Sequence, residues 1–280
     1  METEKTVFPD THIVEPQTAH THTAILLHGR GSNGPEFAED LFSSKTSAGQ
    51  NLAAHFPSWR WVFPTARNRW STVFEEDQSA WFDIYSLTDT NKRQDLQRDG
   101  LRESCLHVLD VIERETDLLG GQSGNVIFGG MSQGMATALW TLLCAPGRIK
   151  RRIGAFVGSC GWMPFTQHIE KAISLYGSKS TSELNSTEIS AFLLGAINCP
   201  PFESEAGDTE AALSTPVLLL HGTDDAVVDI SLGQQACQLL REMGMKVELK
   251  EYSGAENDGH WIKEPQGFDE IVAFLAGHTG

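Results

Sequence analysis

The chain has 280 residues, 40% of them hydrophobic and 21% charged, with 21 basic against 37 acidic residues for a net charge of −16. That composition belongs to a folded globular protein and excludes a disordered or fibrous one. A negative field of this size repels phosphate backbones and anionic lipid surfaces, so nucleic acid is excluded as an expected partner.

The length allows one large domain or two small ones. The opening residues, Met1-Glu2-Thr3-Glu4-Lys5, lack the basic start and apolar run of a signal peptide. No stretch approaches the ~18 apolar residues of a membrane span, and neither end carries a lipidation motif. The five cysteines (Cys105, Cys144, Cys160, Cys199 and Cys237) are odd in number and have no paired metal spacing. Reduced thiols in a cytoplasmic protein, with no metal and no cofactor, are the expectation. Asn185-Ser186-Thr187 matches a glycosylation acceptor, which without a secretory signal is read as chance.

Residues 1–20 are polar and irregular and read as a flexible tail ahead of a domain over 21–280. Thr23-Ala24-Ile25-Leu26-Leu27 is a short continuous apolar run, as in a strand covered on both faces. A second strand is expected at Trp59-Arg60-Trp61-Val62-Phe63, stopped by Pro64. Apolar residues at three-to-four spacing (Leu101, Cys105, Val108, Ile112) predict a helix over 95–117. Strands follow at 125–128, 154–158 and 216–220, then a helix over 231–243, a strand over 246–252 and a helix over 268–276. This alternation predicts an α/β fold, a mainly parallel central sheet with helices on both faces. Its chemistry belongs at the carboxyl ends of the strands. Residues 164–214 fit the rhythm poorly. Ser/Thr-rich, with helical scraps at 167–176 and 190–197, they read as an insertion, a lid or a surface excursion.

Gly130-Met131-Ser132-Gln133-Gly134 lies between the strand ending at Phe128 and a helix-like run over 135–143. In that context G-x-S-x-G marks a nucleophile elbow, whose sharp turn pushes the serine oxygen out over the sheet. Ser132 then needs a histidine to take its proton and a carboxylate to orient that histidine, in the chain order serine, acid, histidine. Asp224 and Asp225 both follow the strand at 216–220. Of the two later histidines, His278 sits at the fraying end, so His260, on the loop before the last helix, is the expected base. The backbone N–H of Gln133 and that of Arg30, in the glycine-dense loop Leu27-His28-Gly29-Arg30-Gly31, are the expected oxyanion donors. A phosphate loop is disfavoured there, since no Lys-Ser/Thr follows. His28 and His221, each before a glycine, read as structural.

Together these segments resemble the acyl-protein thioesterase and phospholipase/carboxylesterase family of α/β-hydrolases. The resemblance rests on the elbow with Leu27-His28-Gly29, Phe63-Pro64-Thr65-Ala66, Trp81-Phe82-Asp83, Cys160-Gly161-Trp162, His221-Gly222-Thr223-Asp224-Asp225 and Gly259-His260. It implies an α/β-hydrolase fold in a single domain, with Ser132 as nucleophile, Asp225 rather than Asp224 as acid, and His260 as base. It also implies Arg30 and Gln133 at the oxyanion hole, and Trp81, Phe82 and Trp162 along the substrate pocket. The implied activity is cleavage of carboxylic esters or thioesters through an acyl-enzyme, possible substrates including acylated proteins. A small-molecule esterase, acyltransferase or cyclase would use the same triad. A binding protein on a hydrolase scaffold is the rival from another class. The chain departs from the family in its extra length at 164–214. Glu2 also stands where some lipid-anchored relatives carry a cysteine.

Overall fold

The computed structural model describes residues 7–176, 186–203 and 207–279. Asn185 and the first six residues of the segment read as a tail lie outside them. Seven strands form the central sheet: β1 (His12–Val14), β2 (His22–Leu27), β3 (Trp59–Phe63), β6 (Val126–Met131), β7 (Ala155–Ser159), β8 (Val217–Gly222) and β9 (Val247–Tyr252). Two more, β4 (Asn68–Ser71) and β5 (Glu76–Ser79), make a separate antiparallel hairpin. The sheet order is β1-β3-β2-β6-β7-β8-β9. Every pairing from β3 to β9 is parallel, and only β1 runs against its neighbour.

The continuous apolar runs resolve into two alternating faces. Ile25 and Leu27 of β2 join one core, while Ala24 and Leu26 join the other. The first core holds α3 (Gln94–Leu118), α4 (Gln133–Cys144) and α8 (Ile230–Glu242). The second holds α1 (Gly34–Ser43), α2 (Leu52–His55) and α9 (Gln266–His278). A sheet shielded on both sides is the arrangement parallel strands require. No described helix is long and apolar enough to cross a membrane.

Two expectations change. The stretch read as a flexible tail is ordered from Val7 onward: Phe8 stacks on His107 at 3.9 Å, and His12–Val14 pairs with Trp61–Phe63 as β1. Edge pairing supplies backbone hydrogen bonds that polar side chains do not forbid. The stretch 164–214, read as an insertion, carries α5 (Thr166–Tyr176), α6 (Ser186–Ala196) and α7 (Asp208–Leu213) among its described residues. Helices α6 and α7 pack on α4, and α5 packs on α6 and α8. Phe165, Ile169, Leu193 and Ile197 enter the first core.

Candidate active site

Strand β6 runs straight into α4, and Ser132 sits alone between them at φ 54°, ψ −122°. That is a costly conformation for a residue with a Cβ, held only because both elements are fixed by the core. The flanking glycines show why nothing larger fits. A Cβ on Gly130 would lie 2.6 Å from the Leu27 carbonyl oxygen, and one on Gly134 2.2 Å from it and 2.5 Å from that of His28. The serine is thus presented over the carboxyl end of the sheet.

His260, on the loop between β9 and α9, places Nε2 3.0 Å from Ser132 Oγ. Its Nδ1 lies 2.8 Å from Asp225 Oδ2. Asp225 follows β8 and has a fully buried side chain, while that of His260 is 14% exposed. Asp225 Oδ1 accepts from the backbone N–H groups of Val227 and Val228, both at 2.9 Å. Burial alone would raise this carboxyl, but hydrogen bonds from His221, His260 and the Val228 amide outweigh it and hold Asp225 far below the usual carboxylate range. The acid therefore stays ionised, fit to orient and charge-balance an imidazolium. Asp224 turns away and accepts from the Gly254 amide at 2.7 Å.

His28 and His221 take the structural places expected of them. His28 Nε2 accepts from the Ala66 amide at 3.0 Å and its Nδ1 meets the Gly29 carbonyl at 2.6 Å. Burial pulls His28 down to about 4, so it is a neutral brace under the Gly29-Arg30 loop. His221 donates from Nε2 to the Val228 carbonyl at 2.9 Å and sits 3.4 Å from Asp225 Oδ2. It braces the acid's loop.

Gln133 opens α4, where a helix amide has no intrahelical partner and is free to face an oxyanion. Its side chain is locked, accepting from the Trp81 amide at 2.9 Å and donating to the Phe82 carbonyl at 2.7 Å. Trp81 Nε1 in turn donates to the His28 carbonyl at 2.8 Å. One buried network thus ties the Gln133 end of the site to the Arg30 end.

A sequence profile of the phospholipase/carboxylesterase family matches residues 9–187 and 172–278 of this chain. The chain belongs to that family. Acyl-protein thioesterase 1 of Yarrowia lipolytica is 26% identical over 265 residues, 94% of this chain and 92% of that protein. Acyl-protein thioesterase 1 of Schizosaccharomyces pombe is 32% identical over 163 residues, 58% of this chain and 65% of its own length. The crystal structure of Zea mays acyl-protein thioesterase 2 superimposes with a TM-score of 0.66 at 25% identity, covering 98% of this chain and 100% of that one. As a phospholipase/carboxylesterase family member, the chain is an α/β-hydrolase and a serine hydrolase of ester or thioester bonds.

In this family member Ser132 opens into a cavity of about 320 Å³, lined by Arg30, Gln133 and His260 together with Ile84, Leu87, Trp162 and others. Trp162, expected along the substrate pocket, lies in this lining. Trp81 and Phe82 do not: both are fully buried beneath the cavity rather than along it. Helix α3 pins their backbone, with Ser104 Oγ donating to the Trp81 carbonyl at 2.6 Å and Gly100 too close to Phe82 to bear a Cβ. Their part is to hold Gln133. No described residue of 164–214 lines the cavity.

Several lining residues, among them Phe37, Asp40, Val227 and Asn257, carried no signal, because loops far apart in sequence bring them together. The clamp on Asp225 did carry one, since an Asp that bonds amides two and three residues on is a common turn former. Cys160, Asp225 and His260 offer three ligand atoms within 4.8 Å of one another. A cation there would have to break the Asp225–His260 bond. Burial also pushes the Cys160 thiol up to about 12, so it stays protonated.

Proposed function

We propose that this protein hydrolyses carboxylic esters or thioesters, acylated proteins included, through an acyl-enzyme on Ser132. The carrying observation is the unbroken chain Ser132 Oγ, His260 Nε2, His260 Nδ1, Asp225 Oδ2 at the mouth of the cavity. His260 takes the serine proton as Oγ attacks the acyl carbonyl, and Asp225 holds the imidazole and stabilises its charge. The oxyanion is met by the backbone N–H groups of Arg30 and Gln133. Collapse expels the alcohol or thiol with the proton from His260. Water, activated by the same imidazole, then releases the acid. Five free, buried cysteines suit a reducing compartment, so the cytoplasm is the proposed location.

The test is Ser132→Ala, expected to cut kcat by about a million-fold on a 4-nitrophenyl ester. Wild-type protein should also label with a fluorophosphonate where the variant does not. Wild-type-like turnover by the variant would overturn the assignment. Matched acyl ester and thioester series of increasing length then rank the bond type and the acyl group.

A further inference from the structure

The side chain of Arg30 has no part in the reaction just proposed, which uses only its backbone amide. Yet Arg30 is one of the residues lining the catalytic cavity, and it follows directly on Gly29, where an added Cβ would lie 3.4 Å from Ser132 Cβ. The guanidinium is held over the Phe74 ring, Cζ 4.7 Å from its centroid. That contact uses the face of the guanidinium and leaves its in-plane N–H groups unspent. Among the described residues no carboxylate forms an ion pair with it. The acid whose charge it feels is Asp83, whose oxygens accept from the amide and hydroxyl of Thr72 at 3.2 and 2.5 Å and make no ion pair with Arg30. Asp40 also lines the cavity, where burial and the neighbouring Glu39 and Glu36 raise its carboxyl above the ordinary range, and among the described residues it makes no ion pair with Arg30. A half-buried guanidinium with no ion-pair partner among the described residues is unfavourable unless an anion arrives to meet it.

We propose that Arg30 selects substrates bearing a carboxylate within reach of the scissile carbonyl, so that the preferred ester or thioester is a monoanion. Its fork matches a carboxylate in bidentate fashion. A phosphate dianion would meet twice the repulsion from a chain of net charge −16, which favours the carboxylate. The inference rests on Ser132 being the nucleophile.

Three substrates test it: 4-nitrophenyl hexanoate, mono-(4-nitrophenyl) adipate, which places a carboxylate at the far end of the acyl chain, and 3-carboxy-4-nitrophenyl hexanoate, which places one on the leaving group. For wild type, Arg30→Leu and Arg30→Lys, kcat/KM for each anionic ester is divided by that for the neutral one. This ratio cancels any disturbance of the Arg30 amide and any difference in leaving group. Arg30→Leu should lower one ratio by about tenfold or more, chiefly through KM, and Arg30→Lys by less. Whichever ratio falls shows which side of the substrate carries the charge. Fluorophosphonate labelling of each variant certifies a folded, competent Ser132. If wild type hydrolyses the neutral ester and both ratios stay within about twofold in both variants, Arg30 is not a carboxylate selector. If wild type hydrolyses none of the three and resists labelling, it is the proposed function that fails.

Discussion

Replacing Gly134 by alanine tests whether the two halves of the oxyanion hole are held in register by direct backbone contact. The added Cβ would lie 2.2 Å from the Leu27 carbonyl oxygen and 2.5 Å from that of His28. Carbon–oxygen contacts in proteins close at about 3.3 Å, so one element must retreat by about 1 Å. Leu27 ends a central strand paired on both sides, and the His28 carbonyl is held by the Trp81 indole. The movement therefore falls on the start of α4, which carries the Gln133 amide and adjoins Ser132. A displacement of that size costs about a hundredfold in rate, and about a thousandfold if one oxyanion donor is lost outright. The overpacking itself should cost about 1–3 kcal/mol, with Tm falling by about 2–4 °C per kcal/mol. The assay is kcat and KM on a 4-nitrophenyl ester alongside thermal unfolding by circular dichroism. Gly277→Ala serves as control, because its Cβ would meet nothing within 4 Å at the end of α9. Wild-type kcat and Tm in Gly134→Ala would refute the contact argument.

Gln133→Leu keeps the volume but leaves the Trp81 amide and Phe82 carbonyl unpaired in a buried site. Chemical denaturation should show a loss of about 2–5 kcal/mol, and kcat should fall with it. His28 is neutral when folded and titrates at about 4 rather than 6.5. The unfolded chain therefore binds a proton in that window that the native one does not. The stabilising contribution is complete above about pH 6.5 and is lost as pH falls to about 4, on the order of 3 kcal/mol in all. His28→Gln should flatten the slope of unfolding free energy across that window. His107, also pulled down to about 4 by burial, remains in both proteins and cancels. An unchanged slope would mean that His28 is hydrated or protonated in the native state.

The strands that bear the site were legible because parallel strands covered on both faces must be apolar throughout, as in Val217-Leu218-Leu219-Leu220. The order of Ser132, Asp225 and His260 was legible because each follows a strand or precedes a helix at the same end of the sheet. Strand β1 was not, because three residues with a single antiparallel partner leave no pattern, and Ile13 is 38% exposed. The β4–β5 hairpin was equally silent: its residues are nearly all polar, and Trp70 faces solvent at 57% exposure. Trp81 and Phe82 were misplaced for a different reason. An aromatic pair beside a catalytic loop reads alike whether it lines a pocket or supports its floor. What distinguishes the two is α3, whose small residues Gly100 and Ser104 let it close down on their backbone.

Residues 164–214 raise the question of what their helices are for, and α4 supplies the answer. A helix that buries one stripe shows polar residues on its other side, yet every residue from Gln133 to Cys144 is buried. Strands β2 and β6 and helix α3 cover only part of that circumference. Helices α6 and α7 add a further layer on α4, and Phe165, ahead of α5, lies against the Trp140 ring at 5.2 Å. A helix apolar all round was thus itself a statement that something must cover it. Helices α6 and α7 pack on α4, and no described residue of 164–214 lines the cavity. Among the described residues, the wall of the cavity around Ser132 is instead built by loops such as the one that carries Arg30.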